Sequence, residues 1–403
     1  MSSRRLAAGS GDGRWLARSR AALAGLWALT LLGCSQDHAI GSAGFWALRI
    51  VDPQLRGLVQ PVLAAGDLDG DGRDEIAVLD AAEPRLCLLW SQPGSAAICQ
   101  SVASEGAPQQ VAIARLLPET AALADAGSGP RAQLVLAGRQ LVLYPPFSSG
   151  PIPEPRLRIP LASPVQQLLR QRIIRAASPS AERSEQDILW SSGGTERIVA
   201  WVADASPDGR SAHSLWPVEY ALQAAPSVVL PHSPAGGDRQ ILSASALGIE
   251  RLTSRGERLV IPCSESAAGS RDLALLDLDA DGRDDLLFLR PTGLAGWMAQ
   301  KPGTGSPSWS CPSDPPAPLA GVALQAFLPF DVDGEGRIDL VASSSDRDPG
   351  LLLLRSGRPL GTYPQAQPIH AATRASLDPG SRADVVLLLR DGTLQHLFNT
   401  FPP

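Results

Sequence analysis

The feature that most constrains this chain is a short apolar segment that returns seven times at nearly even intervals. Its anchor residues are Ile76, Leu134, Ile188, Ile241, Leu286, Leu340 and Val385, spaced 58, 54, 53, 45, 54 and 45 residues apart. Each anchor opens a run of strand length, such as Glu75-Ile76-Ala77-Val78-Leu79 or Asp384-Val385-Val386-Leu387-Leu388, and a small or glycine-bearing turn and a second apolar run follow. An apolar run precedes the best copies as well, for example Pro61 to Gly66 and Arg271 to Leu276. A unit of several strands repeated at fixed period cannot bury its own faces. It has to stack on copies of itself.

A period near fifty with about four strands per unit predicts an all-β fold, a β-propeller of four-stranded blades. Seven anchors predict seven blades, and blurred unit boundaries between residues 145 and 225 leave six or eight as alternatives. The alternating segment Phe45 to Ile50 stands ahead of the first unit, while the last unit ends at Thr393 to Phe398 with no room for a fourth strand. The N-terminal strand is therefore expected to fill the vacant place and close the ring, leaving no open sheet edge. Composition agrees: 38 glycines and 36 prolines beside 44% hydrophobic residues describe a turn-rich chain with a sizeable core.

Three of the units carry an acidic loop between their first two strands. The first reads Asp67-Leu68-Asp69-Gly70-Asp71-Gly72-Arg73-Asp74-Glu75, the second Asp277 to Asp285, and the third Asp331 to Asp339 with Glu335 at its fifth position. Carboxylates at positions 1, 3, 5 and 9 of so short a loop repel one another unless a hard cation collects their oxygens. Glycines allow the tight turns this requires. An EF-hand would need a bidentate Glu at position 12 and helical flanks, but position 12 is Val78, Phe288 or Ala342 and the flanks read as strands. A metal-free turn is the alternative reading of each loop.

This pattern, Asp-x-Asp-Gly-Asp-Gly-x-x-Asp flanked by strands, resembles the FG-GAP and VCBS repeat family, whose propellers include the seven-bladed head of the integrin α-subunit. The resemblance implies Ca2+ bound through side chains at positions 1, 3, 5 and 9 and the carbonyl of position 7. Carried onto this chain, the ligands are Asp67, Asp69, Asp71, the Arg73 carbonyl and Glu75. The second set is Asp277, Asp279, Asp281, the Arg283 carbonyl and Asp285, and the third is Asp331, Asp333, Glu335, the Arg337 carbonyl and Asp339. The remaining four units lack the acids, and no tight site is expected in them.

The N-terminus reads as an export signal. Arg4, Arg5, Arg14, Arg18 and Arg20 precede an apolar run from Ala21 to Leu32, too short to span a bilayer as a mature helix. Leu31-Leu32-Gly33-Cys34 resembles the lipobox of bacterial lipoproteins, which implies cleavage before Cys34 and lipidation of its thiol. The organisation expected is a signal peptide over 1–33, a tether over 34–44 and the propeller over 45–403. The expected location is the cell envelope, the outer membrane or periplasmic face favoured. Setting Cys34 aside leaves Cys87, Cys99, Cys263 and Cys311, an even set suited to an oxidising compartment. Cys87 and Cys99 fall on neighbouring strands and form the expected pair, with Cys263 to Cys311 by elimination and four buried thiols as the alternative.

Without residues 1–33 the chain carries 30 basic and 40 acidic residues, a balance that argues against a nucleic-acid surface. The five histidines, His38, His213, His232, His370 and His396, are not spaced as a metal pair, and no nucleophile elbow, phosphate loop or dinucleotide fingerprint is present. Trp90, Trp190 and Trp201 sit in apolar runs and read as core, whereas Trp216, Trp297 and Trp309 are open to a sugar-stacking role. The expected function is a calcium-stabilised, lipid-anchored binding or scaffold module for a protein or glycan, acting as a monomer. The alternative is an envelope hydrolase or lyase built on the same ring.

Overall fold

A computed structural model gives the fold. It describes residues 45–91, 96–102, 106–116, 131–148, 150–174, 185–203, 215–232, 240–253, 256–302, 308–311, 313, 315, 319–332, 338–344, 350–355, 358–377 and 382–400. Residues 1–44, with the expected signal sequence, the expected tether and Cys34, lie outside these residues, as do Asp333, Glu335 and Arg337 of the third acidic loop. No helix among the described residues is long and apolar enough to cross a membrane.

The chain opens with β1 (Phe45–Val51), which joins the last sheet. Blade 1 is β2 (Pro61–Gly66), β3 (Glu75–Asp80), β4 (Arg85–Leu89) and β5 (Ile98–Ser101). Blade 2 is β6 (Gln110–Ala114), β7 (Gln133–Ala137), β8 (Gln140–Leu143) and β9 (Leu157–Pro160). Blade 3 is β10 (Gln167–Ile174), β11 (Glu185–Ser192), β12 (Arg197–Ala203) and β13 (Leu215–Ala221). Blade 4 is β14 (Pro226–His232), β15 (Gln240–Ser245), β16 (Gly248–Thr253) and β17 (Arg258–Val260). Blade 5 is β18 (Asp272–Leu276), β19 (Asp285–Leu289) and β20 (Ala295–Met298), whose outer edge is bridged by Trp309 and Ser313 in the place of a fourth strand. Blade 6 is β21 (Leu324–Phe330), β22 (Asp339–Ser344), β23 (Gly350–Arg355) and β24 (Arg358–Pro364). Blade 7 is β25 (Ile369–Ala375), β26 (Asp384–Leu389) and β27 (Thr393–Asn399), completed on its outer edge by β1.

All pairings are antiparallel, and the first strand of each blade is innermost. These inner strands follow one another around an axis: β2 lies beside β6, β6 beside β10, and so on through β14, β18, β21 and β25, which returns to β2. The seven-bladed ring is therefore closed. The clasp is β1 on β27, in register from Phe45 opposite Asn399 to Val51 opposite Thr393. Closing a ring with the two ends of the chain ties the first segment to the last and hides the edge that β27 would otherwise present.

The physical reason the middle strands read as continuous apolar runs lies in the packing. Each blade is covered on both faces, so successive side chains, which point to opposite faces, are all buried. On β3, Ile76 and Val78 pack toward blade 7 with Val386 and Leu388, while Ala77 and Leu79 pack toward blade 2 with Val111 and Leu134. Seven apolar clusters result, one for each interface between neighbouring blades. Proline follows the same logic. Within strands it occurs on inner and outer strands, such as Pro61, Pro226, Pro329, Pro217 and Pro364, where a ladder hydrogen bond is not needed on one side.

The sulfurs of Cys87 and Cys99 are bonded across the β4–β5 register pair, with Cα atoms 4.0 Å apart, and Cys263 is bonded to Cys311 with Cα atoms 5.1 Å apart. By the chain-entropy argument, closing separations of 12 and 48 residues is worth about 3 and about 4 kcal/mol. Trp90, Trp190, Trp201 and Trp309 are buried, and Trp297 packs partly buried against the blade 5–6 cluster. Trp309 thus serves the core and is not available for stacking on a sugar.

Candidate functional site

Because the inner strands all run in one direction, their C-terminal ends, and the loops that follow, gather at one mouth of the ring. The first acidic loop follows β2, the second follows β18, and the third follows β21. In the first loop Gly70 and Gly72 take left-handed backbone, φ 83 and 84. The second repeats this with Ala280 at φ 64 and Gly282 at φ 84. The bend folds the carboxylates back on the loop's own amides. Asp67 accepts from the N–H groups of Gly70 and Gly72 at 2.6 and 3.2 Å, and Asp277 accepts from Asp281 and Gly282 at 3.0 and 3.0 Å.

The result is two clusters of convergent oxygens. Asp67, Asp69 and Asp71 place one carboxylate oxygen each within 4.8 Å of one another, and Asp277, Asp279 and Asp285 do the same. Glu75 lies outside the first group and Asp281 outside the second; Asp281 is paired instead with the guanidinium of Arg283 in the same loop. Of the third loop, Asp331 and Asp339 are described, and Asp339 Oδ2 accepts from Val332 N–H at 3.0 Å. The carbonyls of Arg73 and Arg283 belong to the same two loops.

Charge is poorly compensated in the first two loops. Burial, with Asp69 and Asp67 adding their charges, pushes the Glu75 carboxyl up to about 8. Its Oε2 accepts from Leu68 N–H at 2.7 Å; the buried Oε1 makes no close hydrogen bond, though the nearby Ser91 hydroxyl favours the charged form of the carboxyl. Burial also raises Asp67 and Asp69, and pushes Asp285 up to about 6 with help from Asp279 and Asp281. A buried carboxylate oxygen with no close hydrogen bond, beside three convergent acids, is a donor set that fits a hard divalent cation. Arg115, 3.7 Å from Asp67, competes at the first loop, and the charge of Arg131 acts on Asp69.

The ninth loop position has a wider role than the sequence reading gave it. In every blade the residue before the anchor is an acid or amide, Glu75, Gln133, Asp187, Gln240, Asp285, Asp339 and Asp384, and every one is buried. In five blades its side chain accepts the N–H just past the inner strand: Leu68, Leu116, Leu278, Val332 and Leu377, at 2.7–3.1 Å. Asp285 and Asp384 use their second oxygen for the N–H of Gln300 and Asn399, at 2.9 and 2.7 Å. Blades 2 and 7, which lack an acidic loop, keep this clamp, so its first duty is to satisfy buried backbone at the strand crossover. The signal was present in the sequence as a polar residue ahead of each anchor.

Neighbouring blades are stitched at the same mouth. Asp74 Oδ2 accepts from Ser376 N–H at 2.7 Å while Asp74 N–H donates to Ser376 O at 2.7 Å, joining blade 1 to blade 7. Asp187 makes the same reciprocal pair with Arg115, joining blade 3 to blade 2 at 2.7 and 2.9 Å. Toward the opposite mouth, at the start of β18, Asp272 Oδ2 accepts from Phe327 N–H at 2.7 Å, joining blade 5 to blade 6.

A cavity of about 730 Å³ opens here. It is lined by residues of blades 7, 1, 2 and 3. Blades 3 and 7 are not neighbours and share only the axis, so this is the central channel. Its polar lining is Asp67, Asp74, Arg115, Arg170, Arg374 and Ser376, with small and branched apolar side chains of the inner strands making up most of the rest. Near the starts of β2, β6 and β25 lies a smaller recess of about 410 Å³, which includes Gln60, Gln110 and His370. Burial lowers the pKa of His370. His232 ends β14, and His396 is embedded in β27, whereas His38 and His213 lie outside the described residues.

No protein-family model matches this chain, and no curated protein matches it. Solved structures do. The crystal structure of BBS1N in complex with ARL6DN has a TM-score of 0.58 at 13% identity over 89% of this chain and 97% of that one. Virginiamycin B lyase from Staphylococcus aureus gives 0.51 at 13% identity, over 88% and 98%, and Sqt1 from Saccharomyces cerevisiae gives 0.52 at 10% identity, over 85% and 96%. The chain is a seven-bladed β-propeller. At these identities the likeness is one of fold.

Proposed function

We propose that this propeller is a calcium-stabilised, lipid-anchored module of the cell envelope that binds or scaffolds a protein partner or a glycan. The observation that carries the reading is the gathering of convergent carboxylates at one mouth of a closed ring. Asp67, Asp69, Asp71 and Glu75, and Asp277, Asp279, Asp281 and Asp285, would hold Ca2+, with the Arg73 and Arg283 carbonyls. Asp331, Asp333, Glu335, Asp339 and the Arg337 carbonyl would form the third set. The ion would supply charge compensation and fix each loop against its blade. Its role is structural, since the clamp beneath the loops recurs in blades that lack the acids.

Support for the binding role comes from the fold. A rigid ring with both blade faces buried leaves its two mouths and its rim as the surfaces on which sequence can vary without cost to the core. A propeller of the same architecture is seen in complex with ARL6DN, which is in keeping with a protein partner here. The anchor reading adds that Cys34 tethers the ring to a membrane through residues 34–44. The test is cross-linked capture with the tagged full chain in intact envelopes. One partner recovered in near-stoichiometric amount, and lost when calcium is withdrawn, is the expected result. Turnover of a substrate that a single point mutation abolishes, with no stable partner, would overturn it in favour of an enzyme.

A further inference from the structure

The central channel at the loop-bearing mouth holds three arginines from three different blades. Arg115 follows β6, Arg170 lies on β10, and Arg374 lies on β25. Nothing in the repeat demands them, since the equivalent places on β2 are Ala64, Ala65 and Asp67. All three line the same cavity, and all three act on the carboxyl of Asp74, which lines it too.

The acids in the channel are already occupied. Asp74 is engaged with the Ser376 amide, and Asp67 accepts from two amides of its own loop. Arg170 is paired with Asp187 at 2.9 Å, and Arg115 stands 3.7 Å from Asp67. Arg374 is different. Its guanidinium lies over the Phe330 ring at 5.7 Å with no close hydrogen bond or ion pair among the described residues, and the charges of Asp74 and Asp331 act on it from farther off. Its side chain is exposed within the channel; partial burial and the like charge of Arg170 lower its pKa, while Asp74 and Asp331 raise it. A planar cation facing a cavity, with five N–H donors and no acceptor, invites a bidentate oxyanion.

We propose that this mouth of the channel is a binding site for a small ligand bearing an oxyanion, a carboxylate or a phosphate group, held by Arg374 with Arg170 and Arg115 beside it. The cavity of about 730 Å³ lies in the size range of sites for small molecules, about 300–1,000 Å³. Its apolar wall, from the half-buried Leu63, Ala65 and Leu169, would take the uncharged part of such a ligand. The site does not depend on calcium in the acidic loops and survives if they prove metal-free.

The test is calorimetric titration of the full chain, stripped of metal over a chelating resin, with inorganic phosphate and separately with citrate at constant ionic strength. Saturable binding of one or both is expected, lost at least tenfold in Arg374→Gln and Arg170→Gln and unchanged in Arg197→Gln, an exposed arginine of β12. Binding of phosphate alone assigns a phosphorylated ligand, and binding of citrate alone a carboxylate. Should Arg374→Gln fail to fold, Arg374→Lys keeps the charge but not the fork and is expected to weaken binding at least threefold. Absence of saturable binding, equal loss in Arg197→Gln, or full affinity in the Arg374 variants would overturn the proposal.

Discussion

Asp285 and Asp384 occupy the same place in two blades, and the pair separates the clamp from the proposed metal site. Each is buried and accepts two backbone N–H groups, from Leu278 and Gln300 in one case and from Leu377 and Asn399 in the other. Replacing either by Asn turns one acceptor oxygen into a donor that faces an N–H. One hydrogen bond is lost and one buried amide is left unsatisfied, a cost of about 1–3 kcal/mol. For a ring of about 360 residues, 1 kcal/mol moves Tm by roughly 1–1.5 °C if unfolding is two-state. Asp285→Asn and Asp384→Asn are therefore both expected to melt about 1–4 °C below the parent when metal is absent.

Calcium then distinguishes them. With a site affinity of about 10⁻⁴ to 10⁻³ M and roughly 1 mM calcium, each occupied loop adds about 0.4–1.4 kcal/mol. The parent and Asp384→Asn are expected to gain equally from calcium, because blade 7 lacks the acidic loop. Asp285→Asn is expected to gain less by one site's share, roughly 0.5–2 °C. Thermal melts of the three proteins with calcium and after metal stripping supply the comparison. Identical calcium shifts in all three would refute the assignment of Asp285 as a ligand, and a neutral Asp384→Asn would refute the clamp.

Acid sensitivity should trace in part to His396, whose Nε2 is enclosed without a hydrogen-bond partner and whose pKa burial pushes down to about 4. The unfolded chain takes up this proton near pH 6.5, so stability is unaffected above about pH 7 and falls as pH drops from there toward 4, by about 2 kcal/mol at pH 5. Urea titrations of the parent and His396→Gln at pH 7.5 and 5 are expected to differ by that amount in their pH dependence, and parallel losses would show that other groups carry it. The anchor reading is checked by feeding labelled palmitate to a bacterial host expressing the full chain: label is expected on the protein and absent from Cys34→Ser, and label retained by the variant would place the lipid elsewhere.

What could be read without coordinates was whatever the repeat writes into local sequence. Runs such as Glu75-Ile76-Ala77-Val78-Leu79 are apolar at every position because both faces of a blade are covered, so their period reported the blade count. The unpaired segment at Phe45 and the short last unit named the clasp between β1 and β27. The acidic loops were legible because all their candidate ligands fall within nine residues of chain. The clamp was legible but unread, since one polar residue ahead of each apolar run looks like an ordinary strand end until its burial is known.

The channel was not legible, for a physical reason. Arg115, Arg170 and Arg374 are separated by 55 and 204 residues and share no motif. Inner strands point their side chains toward an axis that exists only once seven blades have closed. The sequence by itself determined an all-β ring of repeated units, with seven favoured over six or eight, and the carboxylate-rich loops, because each rests on contacts within a unit or on the regular spacing between units. The tertiary structure decided which charges meet across the ring, because that depends on closure, and closure brings residues of blade 7 beside residues of blade 1.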